Sequence, residues 1–248
     1  MNLILLQEPD FTDSSRVTLA DARAVHLLQV LRVTPGQTVR VGRVDGPTGT
    51  AVVEAAGQGR VTMQCEFESA APPRPPADLL LAVPRPKVMR RLWAQLAALG
   101  VGQIILTNAN RVERDYFATH ILTEPTYRPL LLEGLQQARD TRVPRVSIHR
   151  QFRILVEDHL DALFPSGVRL VATPGANASI ADALGGHQGR ALLAVGPEGG
   201  WSEFELSLLG EHGFTRVGLG PRTLRADTAC IALLANVYAA LAGSRPER

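Results

Sequence analysis

Cysteine is almost absent from this chain. Cys65 and Cys230 are the only two in 248 residues, too few for a disulfide framework or a zinc site. They read as two inert thiols in a reducing cytosol. Lysine is rarer still: Lys87 is the only one, so every other side-chain cation apart from histidine is an arginine. Arginine clamps phosphates with two parallel hydrogen bonds and stacks on bases, although a GC-rich genome would leave the same bias. Long apolar runs are lacking too. The best stretches, such as Ala191 to Val195, have the length of a strand and not of a membrane span. The opening run Met1 to Leu6 meets Gln7-Glu8-Pro9 without a basic leader, and does not read as a signal peptide. The sequence has neither a Gly-x-x-x-x-Gly-Lys-Ser/Thr phosphate loop nor a Gly-x-Ser-x-Gly nucleophile elbow. His26, His120, His149, His159, His187 and His212 lie without ligand spacing, so no metal is expected.

What is present is an ordinary apolar fraction of 45%, enough for a sizeable core, on a length that suits one large domain or two smaller ones. The net charge of +2 conceals a gradient. Residues 1–70 carry 6 cations against 8 acids, a balance of −2, and residues 154–248 carry 7 against 10, a balance of −3. Residues 71–153 carry 13 cations against 6 acids, a balance of +7. A polyanion would meet its counter-charge in that middle third. Arg85, Lys87, Arg90 and Arg91 gather it at the start of one predicted helix, where a solvated face or a subunit contact is the alternative use.

The first 70 residues read as a small β-rich domain. Thr38 to Val44 alternates, with Val39 and Val41 inward, and Asp45-Gly46 marks a turn. Thr50 to Glu54 and Arg60 to Cys65 supply further strands around Gly57-Gln58-Gly59. One helix over Asp21 to Leu31 is expected to turn Val25, Leu28 and Leu31 to one side. Ala70 to Ala77 holds four prolines, so residues 71–77 read as a semi-rigid linker. Beyond it, over residues 78–248, strands and helices alternate. Strands are expected at Leu79–Val83, Gln103–Thr107, Val146–His149, Val168–Thr173, Ala191–Val195 and Arg216–Leu219. Helices are expected at Val88–Leu99, stopped by Gly100, and over about 125–138. Buried parallel strands joined by helices make this an α/β domain.

Two segments carry the chemistry. In the first, a buried strand runs into Gly196-Pro197-Glu198-Gly199-Gly200, and a helix follows. Ser202 and Glu205 have the spacing of a capping box, and Trp201 and Leu206 that of a hydrophobic staple. Such loops bind small molecules at the ends of open α/β sheets; a tight turn without a ligand would use the same residues. The second segment repeats the plan: Val217-Gly218-Leu219-Gly220-Pro221-Arg222-Thr223-Leu224-Arg225-Ala226-Asp227-Thr228-Ala229 leads into a helix through Tyr238. Arg225 and Asp227 bring opposite charges to that helix start, for chemistry or for a structural salt bridge. A third loop, Thr173-Pro174-Gly175-Ala176, ends the preceding strand similarly.

Gly-Pro-Glu-Gly-Gly followed some twenty residues later by Leu-Gly-Pro-Arg-x-Leu-Arg-x-(acidic)-Thr-Ala resembles the small-subunit (16S) ribosomal RNA uridine-N3 methyltransferase family of the SPOUT superfamily. His26 to Arg32 with Pro35-Gly36-Gln37 is similar to that family's PUA-like domain. The resemblance implies a C-terminal SPOUT-type α/β domain with a trefoil knot, and a small N-terminal PUA-like β-barrel that binds RNA. It further implies a cytoplasmic homodimer that uses S-adenosyl-L-methionine, acts on ribosomal RNA or the small ribosomal subunit, and has no dealings with a membrane. By position, Thr173, Pro174, Gly196, Pro197, Glu198, Gly199, Gly200, Leu219, Gly220 and Leu224 would cradle the cofactor. Arg225 would serve the reacting uridine, with Glu198 and Asp227 as further catalytic candidates. His26, Arg32, Arg85, Lys87, Arg90 and Arg91 would hold the RNA. The chain departs from the family in three segments. Asp227 stands where Glu is usual, and Ala94, Gln95 and Ala98 replace the polar residues of Gln-Lys-x-x-Glu-Leu-Gly. The Glu-Gln-x-x-Arg element appears as Gln136-Gln137-Ala138-Arg139-Asp140, with its arginine absent or displaced. Two other readings share the fold: an enzyme for another RNA nucleotide, and an inactive RNA-binding or ribosome-assembly protein.

Overall fold

A computed structural model describes residues 3–243. They fall into two compact units, one made of the chain up to Arg74 with Leu132–Val143, the other of Pro75–Leu131 with the chain from Pro144 onward.

The first unit is a five-stranded sheet in the order β1-β3-β4-β5-β2, where β1 is Ile4–Leu6, β2 Arg16–Leu19, β3 Thr38–Arg43, β4 Thr48–Gly57 and β5 Arg60–Phe67. Only the β1–β3 pair is parallel. Alternation puts Val41, Val53, Val61 and Met63 into its core with Leu6, Val17 and Leu19. The β4–β5 hairpin turns through Gln58 and Gly59, at φ +49° and +73°, the left-handed pair that tight hairpins require. The helix expected over Asp21 to Leu31 is bent. Asp21 caps α1, Ala22–Val25, and a wider π-helical turn follows over His26–Val30. Its buried residues are Ala24 and Leu27, whereas Val25 and Leu31 are 47% and 44% exposed. Of the expected apolar face, only Leu28 packs on the core. The wide turn shifts the side chains that follow it out of α-helical register.

Residues 132–143 join this unit because they hold its Asp45–Gly46 turn. Asp45 N–H donates to the Thr141 carbonyl (2.8 Å), and Thr141 Oγ1 donates to the Gly46 carbonyl (2.6 Å). The backbone amides of Thr141 and Arg142 both donate to Asp140 Oδ1, so this residue, at a departure from the family pattern, orders a turn.

The second unit is a six-stranded, wholly parallel sheet in the order β11-β9-β10-β6-β7-β8. Its strands are β6 Ala77–Ala82, β7 Val101–Thr107, β8 Arg145–His149, β9 Val168–Ala172, β10 Ala191–Val195 and β11 Phe214–Val217. β6, β7 and β10 are buried along their whole length, as strands covered on both faces must be. β11 begins and ends two residues earlier than its alternation suggests: Phe214 is buried, while Leu219 is exposed in the following loop. Helices α2 (Pro86–Leu99), α3 (Glu124–Ala138), α4 (Phe152–Ile154), α5 (Leu160–Leu163), α6 (Ile180–Leu184), α7 (Glu203–Glu211) and α8 (Ala226–Gly243) complete the secondary structure. α2 starts on Pro86 and stops at Gly100, whose φ of +85° closes its C-terminus.

Among the described residues α8 is the one helix long and apolar enough to cross a membrane, a length of apolar chain the sequence reading did not register. Asp227, Thr228, Asn236 and Tyr238 interrupt its apolar run in a linear reading. Ala226, Cys230, Leu233, Leu234, Val237 and Leu241 are buried in the unit. Burial raises the Cys230 thiol to about 12 and Cys65 to about 11, so neither is a ready thiolate.

Candidate active site

Three neighbouring strands, β11, β9 and β10, end on the same edge of the parallel sheet, and each runs into one of the glycine- or proline-bearing loops. The loop after β10 is fastened at both ends. Gly196 lies close under Trp201, where a Cβ would stand 3.0 Å from the ring and press on it. Trp201 is itself buried and packs on Phe152 with ring centroids 5.4 Å apart. Gly200 takes φ +75°, which an L side chain would oppose. The capping box then forms as expected: Ser202 Oγ accepts from Glu205 N–H (3.3 Å), and Glu205 Oε2 accepts from Ser202 N–H (2.7 Å). The other Glu205 oxygen accepts from Asn110 N–H at 2.6 Å. One buried carboxylate thus ties the start of α7 to the loop after β7.

The loops after β9 and β11 are laced together by backbone hydrogen bonds. Thr173 N–H donates to the Val217 carbonyl (2.9 Å), Gly175 N–H to Gly220 (3.2 Å) and Gly218 N–H to Ala178 (3.2 Å). A Cβ on Gly218 would stand 2.9 Å from the Thr173 carbonyl oxygen. Together the three loops wall a cavity of about 730 Å³. It falls within the roughly 300–1,000 Å³ range of small-molecule sites.

All ten residues expected to cradle a cofactor line this cavity: Thr173 and Pro174 from one loop, Gly196, Pro197, Glu198, Gly199 and Gly200 from the second, Leu219, Gly220 and Leu224 from the third. Arg225 and Asp227 are outside the wall. The Arg225 side chain is 76% exposed at the start of α8, its Nε 3.9 Å from Asp227 Oδ1. Asp227 is bonded more closely to Arg91, Nη2 to Oδ2 at 2.7 Å. That guanidinium, with Thr228 N–H and Arg225 in support, holds the Asp227 carboxyl below its ordinary range. Of the cations expected to face RNA, Arg85 caps α2, and Lys87, Arg90 and Arg91 are exposed on its first turns. His26 and Arg32 belong to the other unit, Arg32 exposed with φ +51°.

Arg111 was missed by the sequence reading. It lines the cavity, its Nη1 donates to the Gly199 carbonyl, and its Cδ would stand 3.0 Å from a Cβ on Gly199. A side chain at Gly199 would press on this arginine. Its signal in the sequence is weak but present: Arg111 follows Asn108-Ala109-Asn110 beyond the end of β7, at the same edge as the glycine loops. Arg216 and Arg222 also line the cavity, opposite in charge to Glu198 and Glu203. An RNA methyltransferase domain model matches residues 72–238.

The chain belongs to this RNA methyltransferase family.

It is 28% identical to the Ribosomal RNA small subunit methyltransferase E of Treponema pallidum, covering 96% of this chain and 92% of that protein. Identity to the protein of the same name in Mycobacterium bovis is 27%, over 91% of this chain and 87% of the relative. In fold, this RNA methyltransferase is similar to the Neisseria gonorrhoeae Ribosomal RNA small subunit methyltransferase E crystallised with S-adenosyl methionine. The TM-score is 0.77 at 24% identity, covering 96% of this chain and 97% of that one.

Proposed function

We propose that this RNA methyltransferase transfers a methyl group from S-adenosylmethionine to N3 of a uridine in 16S ribosomal RNA. The observation that carries the reading is the single cavity walled by the loops after β9, β10 and β11. The fit is one of shape and of chemical character. The three loops line the cavity together with apolar Val195, Leu206 and Leu233, a mixed wall suited to an adenosine and a short polar chain. Bound there, S-adenosylmethionine supplies a methyl group carried on a sulfonium sulfur. The protein must deal with the proton that uridine N3 carries near neutral pH, or stabilise the charge left on the flanking carbonyl oxygens. Arg225 suits the second task. Glu198, an exposed carboxylate on the glycine loop of the wall, suits the first. Lys87, Arg85 and Arg90 would hold RNA phosphates, aided by His26 and Arg32 of the N-terminal unit. The finer architecture we propose is a SPOUT domain over residues 78–248 with a trefoil knot, a linker at 71–77 and a PUA-like barrel over 1–70, with residues 132–143 lent to the barrel's unit. The protein would act as a homodimer in the cytoplasm, on the assembled small subunit or its RNA. Likeness to the Neisseria protein over nearly the whole chain supports the two-part α/β and β architecture.

Mass spectrometry of 16S ribosomal RNA is expected to show one uridine losing its N3 methyl group in cells without this protein and regaining it on complementation. An unchanged RNA would overturn the substrate; intact binding of RNA without methyl transfer would make the protein an assembly factor. The cofactor site has its own test. Gly218→Val would force a side chain against the Thr173 carbonyl and part the laced loops, so calorimetry is expected to show cofactor affinity falling by at least about tenfold. Unchanged affinity in this variant would move the cofactor elsewhere.

A further inference from the structure

Four cations open α2, and among the described residues only Arg91 has a carboxylate partner. That partner is Asp227, 136 residues away on the first turn of α8. The two helices run side by side in the same direction. At their far ends the Tyr238 hydroxyl donates to the Gly100 carbonyl. Gly100 lies nine residues beyond Arg91 and Tyr238 eleven beyond Asp227, about 14 and 16 Å along helices rising 1.5 Å per residue. The spacing matches, so the pair of helices is tied at both ends.

α8 has no need of the Arg91 tie for its packing. Five buried apolar side chains from Cys230 to Leu241 hold it, as does the Tyr238 hydroxyl. An ion pair with a solvated partner adds little to stability; the Arg91 side chain is 49% exposed and that of Asp227 16%. Its effect is local. Asp227 Oδ2 is taken by Arg91, and Oδ1 accepts from Thr228 N–H at 3.0 Å while facing Arg225 Nε at 3.9 Å. Arg225 follows a loop without regular structure, and Asp227 is its only ion-pair partner among the described residues. Asp227 thus stands between two guanidinium groups, hydrogen-bonded to Arg91 and 3.9 Å from Arg225, so its placement bears on where Arg225 rests.

We infer that Arg91 is a positioning residue for methyl transfer, acting through Asp227 to aim Arg225 at the mouth of the cavity. This rests on the role proposed for Arg225. It withdraws Arg91 from the set of phosphate contacts and makes Asp227 a bridge between two guanidinium groups instead of a base for the N3 proton. In such an arrangement the effects of the two residues do not multiply, because each works through the other.

The test is a double-mutant cycle on the full-length protein, with turnover read on whichever RNA the wild-type protein methylates. An error in the identity of the base then leaves the test standing. Arg91→Ala is expected to lower kcat by about tenfold, since small misplacements of a catalytic group are costly. Cofactor affinity, melting temperature and the salt dependence of RNA binding should stay near wild type. Arg91→Lys should recover most of the loss, and Arg91→Ala with Asp227→Ala should be no slower than Asp227→Ala alone. Unchanged kcat in Arg91→Ala would overturn the inference, as would multiplying effects. Weaker RNA binding with a shallower salt slope would make Arg91 a phosphate contact instead. Full turnover in Arg225→Ala would overturn both this inference and the reading beneath it.

Discussion

Arg225→Ala is expected to lower the rate of methyl transfer by roughly 10²–10³, the scale seen when one positioned donor to a developing negative charge is lost. The side chain is three-quarters exposed and outside the cavity wall, so its removal takes no surface from a bound cofactor. Cofactor affinity should hardly change. Charge on the uridine carbonyl oxygens builds only as the N3 proton departs, so the interaction belongs to the transition state. kcat and kcat/KM should accordingly fall together. Single-turnover kinetics beside calorimetry separates these quantities. A variant with near-normal turnover would reduce Arg225 to an ion-pair partner of Asp227. Parallel loss of cofactor binding would make it a cofactor ligand.

The largest effect on stability should come from Arg190→Ala. Asp78, on the buried strand β6, has its carboxylate only 1% exposed and paired with Arg190, whose side chain is 42% exposed. Burial pushes the Asp78 carboxyl above its ordinary value, and the Arg190 guanidinium only partly offsets this. Removing the arginine leaves a buried charge unpaired, which costs about 3 kcal/mol, the low end of such losses because Arg190 is half solvated. For a chain of this size the melting temperature should drop by roughly 6–12 °C. A carboxyl with a raised folded-state pKa favours the fold while protonated. That support fades as pH rises from the ordinary value of 3.8 through the raised one. The deficit of Arg190→Ala should therefore be full at neutral pH and shrink on acidification. Asp78→Asn in the same background should remove most of it. Thermal melts across pH on the wild type and the two variants check this, and a deficit independent of pH would refute the charge argument.

What could be read from the sequence was whatever nearby residues decide. The Ser202–Glu205 capping box, the stop at Gly100 and the Gln58-Gly59 turn depend on neighbours within a few positions, and all three form. The cavity loops were legible because each strand-to-glycine transition is local, even though their convergence is not. Partners distant along the chain were invisible. Nothing near Gly199 announces Arg111, 88 residues earlier, and nothing near Arg91 announces Asp227. The place of Leu31 was misread because α-helical spacing assumes 3.6 residues per turn, and the turn at His26–Val30 before it is wider. Asp78 gave no warning either, because its arginine partner lies 112 residues away.

The division of the chain has a practical consequence. The backbone passes between the two units three times, after Arg74, Leu131 and Val143. The N-terminal unit is thus a split module, its second piece an insert borrowed from the middle of the catalytic sequence. A protease that nicks the proline-rich stretch would leave both parts joined through residues 132–143. A recombinant fragment ending at residue 70 would lack Thr141 and Val143, which hold the Asp45–Gly46 turn in place. Anyone wishing to exchange this module between relatives must graft two stretches of chain, and deletion of either leaves the other without its complement.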